Sequence, residues 1–332
     1  MASEAGPRER LHTVDVLRGL AAFSVAWFHL TFAGGGLPKW PPVVWLSGYS
    51  WLGVNVFFVI SGFVLPWSLY RAGYTIRKYG RFLLRRVLRI DPPYLLVVAL
   101  TLVLNYASSL APGFAGKQPF VGWAAVAGHI AFLNAFTGQP WLSPVFWTLA
   151  IEFQYYLLIG LAFPSVASGS RIIRGAVAAV CLAAPWVFSR REFLPCHACL
   201  FLMGIATFQF RSGIASRVWY LGTLGLATAD VWFQAGAVPA LVSLAAALAI
   251  GFVRLESRPL LWLGSISYSL YLVHVPIGGR IINLARRLPQ TPWLQWGEAL
   301  AALGVSLIAA WLLYRFVERP AMRLASGVRW EG

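Results

Sequence analysis

Apolar residues in this 332-residue chain do not alternate with polar ones; they gather into long runs divided by short, arginine-bearing breaks. The runs fall near residues 14–34, 49–70, 82–104, 121–137, 145–166, 172–189, 194–210, 217–233, 237–253, 259–283 and 296–317. Each approaches the ~20 residues that an α-helix needs to cross the hydrocarbon of a bilayer. Helices satisfy their own backbone hydrogen bonds, which lipid cannot do for them. The pattern therefore predicts an all-α fold, a polytopic membrane helix bundle.

The breaks set the expected orientation. If all eleven runs cross, the loop arginines from Arg171 onward alternate onto the wrong sides. If 121–137 is re-entrant or interfacial, Arg8, Arg10, the 71–89 stretch, Arg171, Arg174, Arg211, Arg217, Arg254, Arg258, Arg319, Arg323 and Arg329 all face the cytoplasm. Cytoplasmic loops carry the excess of Lys and Arg, so the expectation is about ten spans with both termini inside. Residues 1–13 then form a cytoplasmic tail, 14–318 the membrane domain and 319–332 a second cytoplasmic tail, in a multi-pass protein of the cell (inner) membrane. The first run lacks a clear small-residue cleavage site, so no signal peptide is expected. No separate soluble domain, repeat or low-complexity tract stands out.

Composition narrows the class further. The chain is 59% hydrophobic and 11% charged, against roughly 25% charged in soluble domains. The net charge of +16 raises nucleic-acid binding. That reading fails because the cations flank apolar runs and form no stripe on a polar domain.

Polar residues inside the runs carry the chemistry. Arg18 and His29 lie eleven residues apart in the first run. At ~100° per residue they share one helix face, separated by roughly 16 Å along the axis. A charged side chain at the bilayer centre costs about 3 kcal/mol on insertion scales, and such residues usually mark a site or a pathway. The densest basic stretch holds seven cations between Arg71 and Arg89. One reading is a loop touching lipid head groups. The other rests on Arg85, Arg86 and Arg89, which continue into the apolar run, with Arg85 and Arg89 one turn apart on one face. Forked guanidiniums suit phosphates, so this reading points to a bound phosphate-bearing ligand, with Asp91 as the competing internal partner. Pro92 and Pro93 are expected to break or kink that helix.

Glu152 sits deep in an apolar run with Thr148 one turn before it. It is either one half of an arginine clamp between helices or a catalytic group, and spacing alone does not separate the two. Asn55, Ser61 and Gly62 suit helix packing, with a substrate-lining role for Ser61 as the lesser reading. Ser265 to His274 forms a polar stripe that holds Tyr268 and ends in a membrane histidine. Glu318, next to Arg319, reads as a structural ion pair. Cys196 and Cys199 have the spacing of half a zinc site. Only one other cysteine, Cys181, exists, and it lies in a different run, so no metal is expected. His129 and Asp230 read as hydrogen-bonded helix glue.

Five motifs now stand in order: Arg18 with His29, Val59-Ile-Ser-Gly-Phe63, Arg85-Arg-x-x-Arg-Ile-x-Pro92, Phe146-Trp-Thr-Leu-x-x-Glu152 and Tyr268-Ser-Leu-Tyr-Leu-x-His274. Together, over about residues 12–320, they resemble acyltransferase family 3, a group of integral-membrane O-acyltransferases. The resemblance implies transfer of an acyl group, often acetyl, from cytoplasmic acyl-CoA to a hydroxyl. Family acceptors include cell-surface polysaccharides, lipid-linked sugars and macrolide scaffolds, so the expected partners are acyl-CoA, a carbohydrate, glycolipid or macrolide-like acceptor, and the lipid bilayer. The family's functional positions map onto Arg18, His29, Arg85, Arg86 and Arg89. Many members append a soluble esterase-like domain, and its absence here favours a stand-alone enzyme. Thr148 stands where a serine is common and keeps the hydroxyl.

The chemistry fits this layout. A thioester must be attacked by an alcohol that hardly ionises unaided, and an imidazole with a reference pKa near ~6.5 is a suitable general base. A covalent acyl-histidine is the alternative. The expected catalytic set is His29, Arg18 and Glu152. Arg85, Arg86 and Arg89 would hold the donor's phosphates, and Ser61, Thr148, Tyr268 and His274 would line the substrate path. Two other classes compete. A secondary transporter would show similar halves, and none is seen. A non-catalytic export partner of cell-envelope glycan assembly leaves the spacing of Arg18 and His29 unexplained.

Overall fold

The computed structural model describes residues 11–33, 40–110, 122–289 and 291–328. Among them all regular structure is helical. In chain order the helices are α1 (His12–Leu30), α2 (Pro41–Tyr49), α3 (Gly53–Arg71), α4 (Tyr79–Ser109), α5 (Trp123–Ile130), α6 (Asn134–Thr137), α7 (Phe146–Val166) and α8 (Arg171–Val187). Then follow α9 (Ala198–Arg211), α10 (Arg217–Ala235), α11 (Ala237–Phe252), α12 (Arg258–Ser265), α13 (Ser267–Val273), α14 (Gly279–Ala285), α15 (Pro292–Leu313) and α16 (Arg319–Gly327). Two π turns, His274–Gly278 and Tyr314–Glu318, join α13 to α14 and α15 to α16.

Four stretches among the described residues are long and apolar enough to cross a membrane: Pro42–Arg71, Ile76–Ser109, Phe146–Val166 and Pro292–Gly327. The α12–α14 unit, bent by 57°, makes a fifth if it acts as one span. This is fewer than the ten expected from the apolar runs. For three of the missing spans the physical reason is helix length: α8, α9 and α11 have 17, 14 and 16 residues. At 1.5 Å per residue such helices reach only about 21–26 Å, short of the hydrocarbon thickness.

Segment 121–137 is two short helices of eight and four residues. The helices on either side of it run antiparallel. Near the start of α4, the Tyr79 hydroxyl donates to the Leu157 carbonyl late in α7. Further along α4, Tyr94 packs on Phe146 at the start of α7, with ring centroids 5.1 Å apart. The chain therefore leaves α4 and enters α7 at the same end of the bundle. Phe132, between them, stacks on Tyr94 at that end, 4.7 Å centroid to centroid.

Pro92 and Pro93 do not break α4, which runs 31 residues through both. Prolines remove amides, so the carbonyls one turn earlier lose their helical partners. Here the Tyr268 hydroxyl donates to the neighbouring Ile90 carbonyl at 2.9 Å and supports the chain at that point. The expected C-terminal tail is also ordered in part. Arg319–Gly327 is helix α16, with Ala321 and Ala325 buried against the bundle. The N-terminal tail lies almost wholly outside the described residues, as does Arg329.

Two buried apolar clusters make the core. One centres on α3, α7 and α9–α11, the other on α1, α4, α7, α13 and α15. The first is tight because Gly62 and Gly204 let α3 and α9 touch backbone to backbone; a Cβ on either would run into the other helix's main chain. Small residues serve the same purpose in membrane helix pairs generally. The seam between the two clusters holds the cavity described below.

The antiparallel pairing of α4 and α7 is testable by single-cysteine labelling in a variant with Cys181, Cys196 and Cys199 replaced. Probes at Gln139 and Ser170 flank α7 and should be reached from opposite sides of the membrane. Labelling of both from one side would overturn this arrangement.

Candidate active site

A cavity enclosing about 960 Å³ of atom-free space, its mouth included, lies in the seam. Its walls come from α1, α3, α4, α7, α13 and the second π turn. Along α3 it extends from Val54 to Leu65, roughly 16 Å by helix rise. Apolar side chains, Phe57, Phe58, Ile60 and Leu149 among them, make up much of the wall, and a few polar groups converge on the space. This is the ordinary make-up of a ligand pocket.

Three guanidiniums line it: Arg18 from α1, and Arg86 and Arg89 from α4. Among the described residues none of the three has a carboxylate within 4 Å. Arg86 donates to Ser68 Oγ at 3.1 Å, and its guanidinium lies over the rings of Phe82 and Tyr156 at 5.5 and 5.7 Å. Two carboxylates share the cavity, and hydroxyls hold both. Glu152 Oε1 accepts from Ser61 Oγ at 3.1 Å. Glu318 Oε2 accepts from Ser269 Oγ at 2.6 Å. Three cations against two anions leave the lining positive when all are ionised.

At the end of the cavity away from the arginines, Thr148 Oγ1 lies 2.5 Å from the Tyr271 hydroxyl. Thr148 has one hydroxyl proton, and its 2.8 Å contact with the Val145 carbonyl uses it. A carbonyl only accepts, so Tyr271 donates to Thr148. One turn beyond Tyr271 stands His274, with ring centroids 5.9 Å apart. His274 in turn meets His29 of α1, Nε2 to Nδ1 at 3.3 Å.

Of the residues expected from sequence, the fold brings seven to this cavity: Arg18, Ser61, Arg86, Arg89, Thr148, Glu152 and Tyr268. His29 and His274 are paired with one another just beyond it. Arg85 is off the wall, which corrects the pairing of Arg85 with Arg89: the pair that shares the cavity is Arg86 and Arg89, at i and i+3 on α4. The arginine clamp on Glu152 does not form within 4 Å, since Ser61 supplies the donor instead. Glu318 likewise points to Ser269 and the cavity and makes no ion pair with Arg319. Asp91 makes no ion pair with the arginines either, and its Oδ1 is buried without a hydrogen-bond partner.

Sequence reasoning missed Tyr156, Tyr271 and the inward role of Glu318. Tyr271 was recoverable, because it follows Tyr268 by three residues on one helical stripe. Among the described residues no three His, Cys, Asp or Glu side chains gather as a metal site. Cys199 Sγ donates to Asp230 Oδ2 at 2.8 Å, and His197 turns away to the Arg191 carbonyl at 2.9 Å.

Comparison with known proteins agrees with this architecture. The family model described as an acyltransferase domain, type 3, matches residues 11–315. The chain is 31% identical over 157 residues to the O-acetyltransferase OatA of Staphylococcus aureus, a match covering 45% of this chain and 24% of that protein. It thus spans about a quarter of the length of that relative. It is 25% identical over 380 aligned residues to the acyltransferase MdmB of Streptomyces mycarofaciens, covering 95% of this chain and 92% of that protein. No solved structure matches the chain. The chain belongs to acyltransferase family 3.

The Ser269–Glu318 bond yields a stability prediction. Ser269→Ala leaves a carboxylate that is 3% exposed without this donor. An unsatisfied buried polar group costs about 1–3 kcal/mol. The thermal midpoint in detergent should fall, and Glu318→Gln in the Ser269→Ala background should recover part of the loss. An unchanged midpoint in Ser269→Ala would show that the bond contributes nothing.

Proposed function

We propose that this member of acyltransferase family 3 is a membrane O-acyltransferase that moves an acyl group, acetyl in the simplest case, from acyl-CoA to an acceptor hydroxyl. The observation that carries the reading is the set of three guanidiniums, Arg18, Arg86 and Arg89, that line one cavity without a carboxylate partner within 4 Å. Cations with no anionic partner within 4 Å in an apolar seam call for an anionic ligand. Planar forks on Arg86 and Arg89 fit the phosphates of a coenzyme A donor. The apolar stretch of the cavity between the arginines and Tyr271 suits the uncharged pantetheine arm.

In this reading Arg18, roughly 16 Å along α1 from His29, joins Arg86 and Arg89 in holding the anionic part of the donor. Glu152, held by Ser61, orients the polar part of a substrate near Thr148, and Tyr268 lines the path. His29 is the base that takes the acceptor's proton, or the nitrogen that carries the acyl group. It is only half-buried at the end of α1 remote from Arg18, so an acceptor reaches it without crossing the cavity. The thioester must come past Tyr271 and Thr148 to meet it.

The acceptor class follows the relatives by name only. Similarity to an O-acetyltransferase over 45% of this chain, and to a second acyltransferase along nearly its whole length, supports a hydroxyl acceptor; the carbohydrate, glycolipid or macrolide-like scaffold is what the family resemblance implies. The loop arginines of the 71–89 stretch support a cytoplasmic position for the Arg86 and Arg89 end of the cavity, the side where acyl-CoA is made.

Purified protein with labelled acetyl-CoA, scored for free CoA release in the presence of a hydroxyl acceptor, tests the reading. Arg86→Gln with Arg89→Gln should raise the KM for acetyl-CoA at least about tenfold, since hydrogen bonds to charged groups contribute roughly 1.5–3 kcal/mol each. Lysine at both positions should restore only part of the affinity. Unchanged donor affinity in the double variant would remove the donor site from this cavity. His29→Ala should cut turnover by roughly 10²–10⁴-fold, the usual range for a lost acid–base group. A His29→Ala protein keeping more than about a tenth of wild-type turnover would sink the assignment of the base.

A further inference from the structure

The contact between His29 and His274 fixes which nitrogen of His29 is reactive. His29 Nδ1 lies 2.9 Å from the Val25 carbonyl oxygen. His274 Nδ1 lies 2.9 Å from the Leu270 carbonyl oxygen. A carbonyl oxygen only accepts, so each Nδ1 carries a proton, and a neutral imidazole has no second one. Each Nε2 therefore holds a lone pair. His274 Nε2, 3.3 Å from His29 Nδ1, accepts. The His29 proton is shared between the Val25 carbonyl and His274. The reverse arrangement would press the lone pairs of His29 Nδ1 and the Val25 oxygen together at 2.9 Å, and it would require a doubly protonated His274.

The two rings differ in access. His274 is 0% exposed and is not part of the cavity wall. His29 is half-buried, and its Nε2 has no hydrogen-bond partner among the described residues. His274 also opens the π turn His274–Gly278, and such turns recur at functional sites.

We propose that His274 is a positioning residue that holds His29 in the tautomer with the proton on Nδ1, so that the Nε2 lone pair is presented to the acceptor hydroxyl. The inference rests on the reading of His29 as the base. In the step itself, the acceptor's O–H proton passes to His29 Nε2 as its oxygen bonds to the acyl carbon. The C–S bond breaks, and the proton on Nε2 then goes to the departing CoA thiolate. While His29 is an imidazolium, its Nδ1–H remains on the His274 lone pair. His274 thus does with a neutral acceptor what a carboxylate does in a Ser-His-Asp triad, where loss of the correct tautomer costs about 10⁴-fold in kcat.

Two substitutions and one spectrum test this. His274→Leu removes the acceptor and should lower kcat on the order of 10²–10⁴-fold with the KM for acetyl-CoA unchanged. His274→Gln offers a carboxamide oxygen to the same proton and should restore at least about a tenth of wild-type kcat. In ¹⁵N-histidine-labelled protein, with His29 assigned by its loss in His29→Ala, the Nδ1 signal should be that of a protonated nitrogen. In His274→Leu the share of protonated Nε2 should rise. A Leu variant with full kcat, a Gln variant as slow as Leu, a raised KM in place of lowered kcat, or an unchanged tautomer in the Leu variant would each overturn the proposal. Full activity in His29→Ala would instead overturn the underlying reading of the base.

Discussion

Three guanidiniums that line one apolar seam, Arg18 from α1 and Arg86 and Arg89 from α4, with no carboxylate within 4 Å, are the constraint on which the site depends. Their mutual repulsion and desolvation oppose folding, so the surrounding structure must hold them in place. It does so with aromatic faces and hydroxyls. Arg86 rests over Phe82 and Tyr156 and donates to Ser68. The carboxylates that might have neutralised the arginines, Glu152 and Glu318, are turned onto serines. Ion pairs across the seam would have tied the helices together and filled the space. Serine donors leave the cations available and the cavity open, at some cost to stability.

Helix packing makes such a seam possible. The α3–α9 contact is close because both partners present glycine where the backbones meet, so one half of the bundle is rigid. The other half wraps α1 with α13 and α15, and it carries both π turns. Each π turn delivers one functional side chain, His274 at the start of the first and Glu318 at the end of the second. A π turn inserts an extra residue and shifts the register of every side chain after it. Regular α-helical spacing would aim Glu318, at the end of its turn, elsewhere.

The sequence made the class, the helical runs and most of the cavity lining readable, because each depends on local pattern. Arg18, Ser61, Thr148, Glu152 and Tyr268 are all polar groups inside apolar runs, and lipid makes such groups conspicuous. What failed depended on facing helices. Whether Arg85 or Arg86 joins Arg89 inside is decided by a rotation of one residue step, ~100°; both pairs lie within a turn, and only the neighbours of α4 choose between them. Pro92 and Pro93 read as a break because the contacts of α4 with facing helices, among them the Tyr268 bond to the Ile90 carbonyl from 178 residues away, are invisible in the local window. The same holds for Glu318, whose partner Ser269 is 49 residues back, and for His29 and His274, 245 residues apart. The short helices α8, α9 and α11 have apolar runs that resemble full spans in composition, whereas their length appears only once caps and turns are formed.

Tyr271 and Thr148 line the arginine cavity and hydrogen-bond to each other, and His274, one turn beyond Tyr271, meets His29 outside that lining. On the proposed function this separation has a chemical purpose. An activated thioester next to a general base and water would be hydrolysed, and excluding water from a closed site prevents such side reactions. With Tyr271 in place, the donor can occupy the cavity while its thioester stays apart from His29. Tyr271 and Thr148 meet through a single hydrogen bond, and Phe57 packs beside them with its centroid 5.6 Å from that of Tyr271. A rotation of one tyrosine side chain is a small change compared with a movement of helices. It would join the cavity to the histidine pair when donor and acceptor are both bound, so a rigid bundle needs no alternating-access motion to let an acyl group pass between them.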